Sequence, residues 1–319
     1  MNDQRGMAAA AVPHAGSDQL GVMNSLIPDA VAPQRYWGRW VSAVIVLVVV
    51  AWVGHSLVAN PHIDHQAIGH YMFSAPILDG LRTTIILTVL AEVLSIVLGT
   101  GIALCRLSPN PVLSSIAWLY VWLFRGTPLL VQILILGNFS LFYQHLSITL
   151  PGGLTLASWS TNSILTMFVA SVLALGLHDA AYSSEVVRAG IQSVDGGQLE
   201  AARALGVGRA LTFRRVVLPQ ALRVIIPPAG NNFINLLKMT SLVAVIAGGD
   251  LLTQAQNVSA ANLKTVELLL VASAWYLILV SIFSVAQSAV ERRLSRADSR
   301  RPAGRSARSA LTRLRRNHD

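Results

Sequence analysis

Long runs of Val, Leu, Ile and Ala alternate with short polar stretches along the chain, at roughly 38–59, 79–105, 118–145, 161–182, 217–247 and 265–290. These runs approach or exceed the ~20 apolar residues that carry a helix across a bilayer. The pattern predicts an all-α polytopic membrane protein with about six transmembrane helices. The third run is interrupted: apolar Pro111–Phe124 is followed by Arg125-Gly126-Thr127-Pro128 before Leu129–Leu136 resumes. Proline removes a donor and disfavours helix at the residue before it. A short interfacial helix turning at the hinge 125–128 into the true span is therefore expected. The first 36 residues are rich in Ala, Gly, Pro and Asp without apolar periodicity and read as a disordered arm. The run beginning near 37 has no convincing cleavage site after it and reads as an uncleaved anchor helix over 37–59. An outer loop at 60–77, a helical core at 78–290 and a basic tail at 291–319 complete the expected organisation.

Composition agrees with a membrane solvent. Hydrophobic residues make up 53% of the 319 positions, charged residues 12%, and mean hydropathy is +0.56. The net charge of +9 invites a nucleic-acid reading, but the arginines lie in loops flanking the spans and in the tail, where ten fall between Arg292 and Arg316. That is the positive-inside distribution, and it excludes nucleic acid as the partner. Arg35 and Arg39 before the first span place both termini in the cytoplasm if about six crossings follow. The single cysteine, Cys105, permits neither a disulfide framework nor a cysteine metal site. His62-x-x-His65 lacks a second pair, so no metal is expected, and these read as solvated loop histidines. No P-loop sequence occurs, and no nucleophile motif accompanies His178-Asp179, so neither ATP hydrolysis nor another catalytic activity is expected of this chain.

Between the fourth and fifth runs, residues 195–207 write a short helix with both ends specified. Asp195 is the expected N-cap, with Gln198 completing a capping-box pattern. Glu200 lies early and Arg203 late, each where the helix dipole favours its charge, and Gly206 suits a left-handed C-terminal cap. Ala201, Ala202 and Leu205 fall on one stripe, where small side chains allow close approach. Leu218-Pro219 then opens the next span, since proline is tolerated in a first helical turn. An ordinary amphipathic connector lying on the membrane surface would fit the same physical features.

Polar residues inside spans are costly and mark candidate function. Thr84, Thr88, Glu92, Ser95 and Gly99 recur at helical spacing in the second run. Asn231, Asn235 and Lys238 share a face of the fifth, just after the hinge Pro227-Pro228. A zwitterionic solute needs a cation for its carboxylate, which Lys238 offers, and acceptors for its ammonium, which Glu92 and the asparagines offer. Helix packing in lipid uses the same residue types, and that alternative stays open for both faces.

Glu200-Ala-Ala, three residues, Gly206, nine residues and then Val216-Val217-Leu218-Pro219 resembles the EAA loop of ABC importer permeases. Around it stand Arg125-Gly-Thr-Pro-Leu-Leu-Val-Gln132, Ala180-Ala-Tyr182 with Glu185, Arg188-Ala-Gly-Ile-Gln-Ser193, Pro227-Pro-Ala-Gly-Asn231 and Leu237-Lys-Met-Thr-Ser-Leu242. Together these are similar to the polar amino-acid branch, the histidine/glutamine permease family, over about 78–290. The resemblance implies a type I importer transmembrane domain with one extra N-terminal helix, in a bacterial inner membrane. It implies that 195–207 is the coupling helix, contacting cytoplasmic ATPase subunits through Asp195, Gln198, Glu200, Ala201, Ala202, Leu205 and Gly206. It implies further partners, namely an extracytoplasmic solute-binding protein, a second permease subunit of the same or a sister sequence, and membrane lipid. ATP and magnesium would belong to the ATPase, leaving no cofactor here. Two departures touch the candidate path of Glu92, Asp179, Asn231, Asn235, Lys238 and Thr240: Met239 and His178-Asp179 stand where other polar residues are expected, as though a charge had moved from 239 to 179. An ion-gradient-driven carrier or channel is the competing reading, but the inverted halves that would favour it are not visible.

Overall fold

The computed structural model describes residues 37–150 and 155–299. The expected arm at 1–36 and the end of the tail, 300–319, lie outside the described residues. The chain divides into two units, Met1–His62 and Ile63–Asp319. In the first, α1 (Trp37–Val58) is a 22-residue helix whose described residues are exposed throughout, and it is long and apolar enough to cross a membrane.

The second unit is a helical bundle threaded on one helix. After α2 (His65–Met72), α3 (Ala75–Arg106) runs for 32 residues, with Pro76 set in its first turn where no donor is missed. The stretch 60–77 is therefore not a plain loop: it contains α2 and the start of α3, and Asp64 caps α2 by accepting from the Ala67 N–H at 3.0 Å. Next come α4 (Pro111–Gly126) and α5 (Leu129–Gly137), bent by 99° across Thr127-Pro128, where the expected turn is found. Thr127 is extended, as a residue before proline prefers. The span expected to reach 145 stops at Gly137. It is followed by an antiparallel hairpin, β1 (His145–Thr149) with β2 (Thr155–Ser160), that the span assignment did not anticipate.

A single turn, α6 (Thr161–Ile164), leads to α7 (Met167–Gln192). After α8 (Gly196–Ala204), the short α9 (Arg209–Thr212), a π-helical turn (Phe213–Val217) and α10 (Leu218–Met239) form one uninterrupted run. Leu218-Pro219 does open α10, with Pro219 in its first turn as expected, but the helix is entered from the π turn without a break. The wider π turn precedes Pro219, whose ring would crowd the carbonyl one turn back and which cannot donate to it. Pro227 and Pro228 likewise stay inside α10, where Gln287 Nε2 donates to the Pro227 carbonyl at 3.0 Å. A 3₁₀ stretch (Thr240–Ile246) ends at left-handed Ala247. Then come α11 (Leu251–Asn262), bent by 43° from the preceding run, and α12 (Thr265–Ser299).

Among the described residues three helices qualify as spans by length and composition, α1, α3 and α12, and up to five if each bent pair counts as one. The count of six also included α7, whose 26 residues suffice for a crossing of about 39 Å. Its second half, however, is polar, with His178, Asp179, Ser183 and Ser184 all buried.

Two apolar clusters hold the bundle, and α3 contributes to both. Leu87 and Ala91 meet Ile133 of α5, Ala174 and Leu175 of α7, and Leu236 of α10. Ile77 meets Leu251 and Ala255 of α11 and Leu268 and Val271 of α12. The α3–α7 pair packs most extensively. Gly99 permits this approach: a Cβ there would lie 2.9 Å from Ser183 Cβ and 3.0 Å from the Ala180 carbonyl oxygen.

Candidate functional site: a capped surface helix and the polar faces behind it

The loop helix α8 forms where its sequence specifies ends. Asp195 Oδ1 accepts from the Gly197 N–H at 2.8 Å. At the other end Gly206 has φ +69°; its N–H donates to the Arg203 carbonyl and that of Val207 to the Ala202 carbonyl, each at 3.0 Å. This is the Schellman arrangement, and it fits glycine because other residues strain at positive φ. Two details depart from expectation. Gln198 does not close a capping box; its Oε1 accepts from Gln220 Nε2 at 2.7 Å, and the same Nε2 lies 2.7 Å from the Val216 carbonyl. Gln198 thereby latches α8 to the π turn and α10, a contact 22 residues away that local capping rules do not consider. Nor do Ala201, Ala202 and Leu205 bury as one stripe. Ala202 is buried, with Leu199 half-buried, whereas Ala201 is exposed and Leu205 is 81% exposed. Glu200 is exposed as well.

The two polar faces within spans take opposite environments. On α3, Thr84, Thr88 and Ser95 have no exposed surface and Glu92 has 8%. Thr84 Oγ1 accepts from the Leu251 N–H at 2.9 Å, and Thr88 Oγ1 donates to the Thr84 carbonyl at 2.8 Å. Ser95 Oγ donates to Asp179 Oδ2 at 2.5 Å and lies 2.9 Å from Ser183 Oγ, which also donates to Asp179 at 3.2 Å. Asp179 is thus held by hydroxyls from two helices. Glu92 is not: its Oε2 is buried without a hydrogen-bond partner, beside a cavity of about 370 Å³ otherwise lined mainly by apolar residues such as Ile96, Phe213, Leu218 and Ile225. On α10, by contrast, Asn231, Asn235 and Lys238 are all exposed. They are not among the residues that line the Glu92 cavity. Thr240 is buried, its hydroxyl bonded to the Leu237 carbonyl at 2.7 Å.

The bend at 125–128 is closed by a residue not singled out in the sequence. Gln132 Nε2 reaches the Phe124 carbonyl (3.0 Å), the Thr127 carbonyl (3.2 Å) and Thr127 Oγ1 (2.7 Å), while its Oε1 meets His178 Nδ1 at 3.2 Å. Its place four residues after Pro128, on the inner side of a short apolar helix, is the one sequence cue that it serves the turn. Glu185 and Arg188 pair at 2.6 Å as their spacing predicts, and Arg106 joins them at 3.5 Å. No group of three metal-ligating side chains occurs among the described residues.

A family model described as "Binding-protein-dependent transport system inner membrane component" matches residues 95–296. The chain belongs to that family. This inner membrane component is 40% identical over 275 residues to an arginine transport system permease protein of Corynebacterium glutamicum, covering 86% of this chain and 85% of that one. It is 38% identical over 211 residues to a nopaline transport system permease protein of Agrobacterium fabrum, covering 65% of this chain and 83% of the relative. Among solved structures it is similar to an amino acid ABC transporter crystallised with histidines, at 35% identity and TM-score 0.61, over 72% of this chain and 99% of that one. A likeness to the MetNI methionine transporter, at 18% identity and TM-score 0.52 over 70% of this chain and 99% of that one, extends the fold alone. The inner membrane component is the permease part of an ABC importer.

Proposed function

We propose that this permease passes a polar amino acid or a close derivative across the inner membrane, with α8 as the element through which a separate cytoplasmic ATPase drives it. The observation that carries the reading is α8 itself. It is a nine-residue helix closed at both ends, tied to the fifth run only through Gln198–Gln220 among the hydrogen bonds described, and it presents Leu205 almost fully to solvent. A lone exposed leucine is ordinary; one on a doubly capped helix beside an arginine-rich turn fits a docking knob. In this reading both termini are cytoplasmic, ATP and magnesium belong to the ATPase, and a solute-binding protein delivers substrate from outside. A second permease subunit covers the exposed Asn231/Asn235/Lys238 face, enclosing a path with Glu92, Asp179 and Thr240 behind it. Tighter binding of ATP to the closed ATPase pair then biases the two facing states. The substrate class is supported by the arginine, nopaline and amino acid transporters that the chain is similar to.

The test replaces Gly206→Asp or Glu200→Lys in the assembled transporter. Uptake is expected to fall at least tenfold while the spans stay folded and the ATPase continues to hydrolyse or remains bound. Wild-type uptake with both variants would remove α8 from the drive train.

A further inference from the structure

A recess that the transport reading leaves unused lies where the end of α3, the end of α4 and the middle of α7 meet. It holds about 520 Å³ and is lined by Arg106, Trp118, Trp122, Arg125, Tyr182 and Glu185 among others. Its charge is unbalanced. Glu185 is shared between Arg106, at 3.5 Å, and Arg188, at 2.6 Å, so one carboxylate serves two guanidinium groups. Arg125 has no carboxylate partner among the described residues; its guanidinium carbon sits 5.0 Å from the centre of the Tyr182 ring. With Arg106 and Arg125 in the wall and its single glutamate also paired to Arg188, the recess keeps an excess of positive charge.

The remaining wall is apolar and faces outward. Trp118 and Trp122, one turn apart on α4, stack with centroids 6.3 Å apart and planes 15° from parallel, and are 53% and 60% exposed. Ile116, Leu119 and Leu123 continue an exposed apolar surface along the same helix. Guanidinium groups match phosphate oxygens through forked hydrogen bonds, whereas tryptophan settles at the level of lipid headgroups. A free anion would answer the arginines and leave the indoles unexplained; a hydrocarbon chain would do the reverse. We propose that the recess binds an anionic phospholipid, with Arg106 and Arg125 on the headgroup phosphate and the stacked indoles against the glycerol and upper acyl chain. The lipid would then bridge α3, α4 and α7 next to the Thr127-Pro128 bend, fixing the position of α4.

The full-length chain in neutral detergent is titrated with phosphatidylglycerol or phosphatidylcholine and its melting temperature followed. Phosphatidylglycerol is expected to raise it more. That difference should fall by at least half in Arg125→Gln, and also in the Trp118→Leu/Trp122→Leu double variant, whose exposed positions keep the fold. Soluble glycerophosphoglycerol at matched concentration should shift nothing. Equal melting in the two lipids, or a difference unchanged in the variants, overturns the proposal. If Arg125→Gln fails to fold, the double variant decides alone. A full shift by glycerophosphoglycerol also overturns it, assigning the arginines to a free phosphate ester.

Discussion

The polar faces of α3 and α10 look alike in sequence and differ in where the rest of the chain puts them. Thr84, Thr88 and Ser95 are buried; Thr84 finds a backbone partner on α11 and Ser95 a carboxylate on α7, while Thr88 bonds back to the Thr84 carbonyl on α3 itself. Asn231, Asn235 and Lys238 lie exposed in a chain otherwise suited to lipid. Hydrocarbon cannot hydrogen-bond an ammonium or an amide. The α3 face is thus covered within this chain, whereas the α10 face is left open. Glu92 sits at the border of the two cases, buried with α3 yet with one oxygen unpartnered.

The sharpest way to break this contrast is to overfill the α3–α7 seam. Gly99→Leu must displace backbone atoms of α7, and a cost of about 3 kcal/mol or more is expected. It would be read as lost monodispersity and lowered melting in detergent, while an unchanged melt would show that the seam is loose. Gln132→Leu comes next, at about 1–3 kcal/mol, because it strands partly buried acceptors at the bend and the Nδ1–H donor of buried His178. Limited proteolysis around 125–129 should accelerate with it.

The direct comparison pairs Ser95→Ala with Lys238→Met. The first should lower stability by about 1 kcal/mol and affect transport only in proportion to folded protein. The second should leave stability within about 0.5 kcal/mol and abolish or re-specify uptake in proteoliposomes. Opposite results would exchange the roles of the two faces.

The smallest effect belongs to the solvent-facing clasp between Asp64 and Lys264, where both partners are exposed enough for water to compete. Lys264 holds the Asp64 carboxyl below its ordinary 3.8, and Asp64 holds the Lys264 ammonium above its ordinary 10.5. A depressed acid stabilises above its unfolded value and loses that contribution as pH falls through the folded one; a raised base does so below its unfolded value and loses it as pH rises. The clasp is therefore constant between these limits. The small melting deficit of Asp64→Asn at neutral pH should vanish on acidification below 3.8.

Much of this architecture was legible where local rules decide it. Asp195 and Gly206 bound α8 because capping depends on a few neighbours, and Thr127-Pro128 turns because proline acts on the residue before it. Other features depend on distant partners. Gln198 chose Gln220 over its own helix end, and Gln132 gained its role only when α7 brought His178 alongside. The hairpin did leave a trace: His145–Leu150 alternates and Pro151-Gly152-Gly153 signals a turn, but a hydropathy window averages such alternation into its neighbours. That Glu92 is buried while Lys238 is exposed follows from neither periodicity nor spacing, since each face is periodic by itself.

The π turn at Phe213–Val217 carries one more consequence. It adds a single residue to a rod that otherwise runs from Arg209 to Met239 without a break. Each helical residue turns the chain by about 100°. Deleting one residue there, and so restoring plain α geometry, would swing Asn231, Asn235 and Lys238 a quarter-turn or more around the helix axis without altering a single side chain. The azimuth of the polar face is thus set about four turns or more away along the helix.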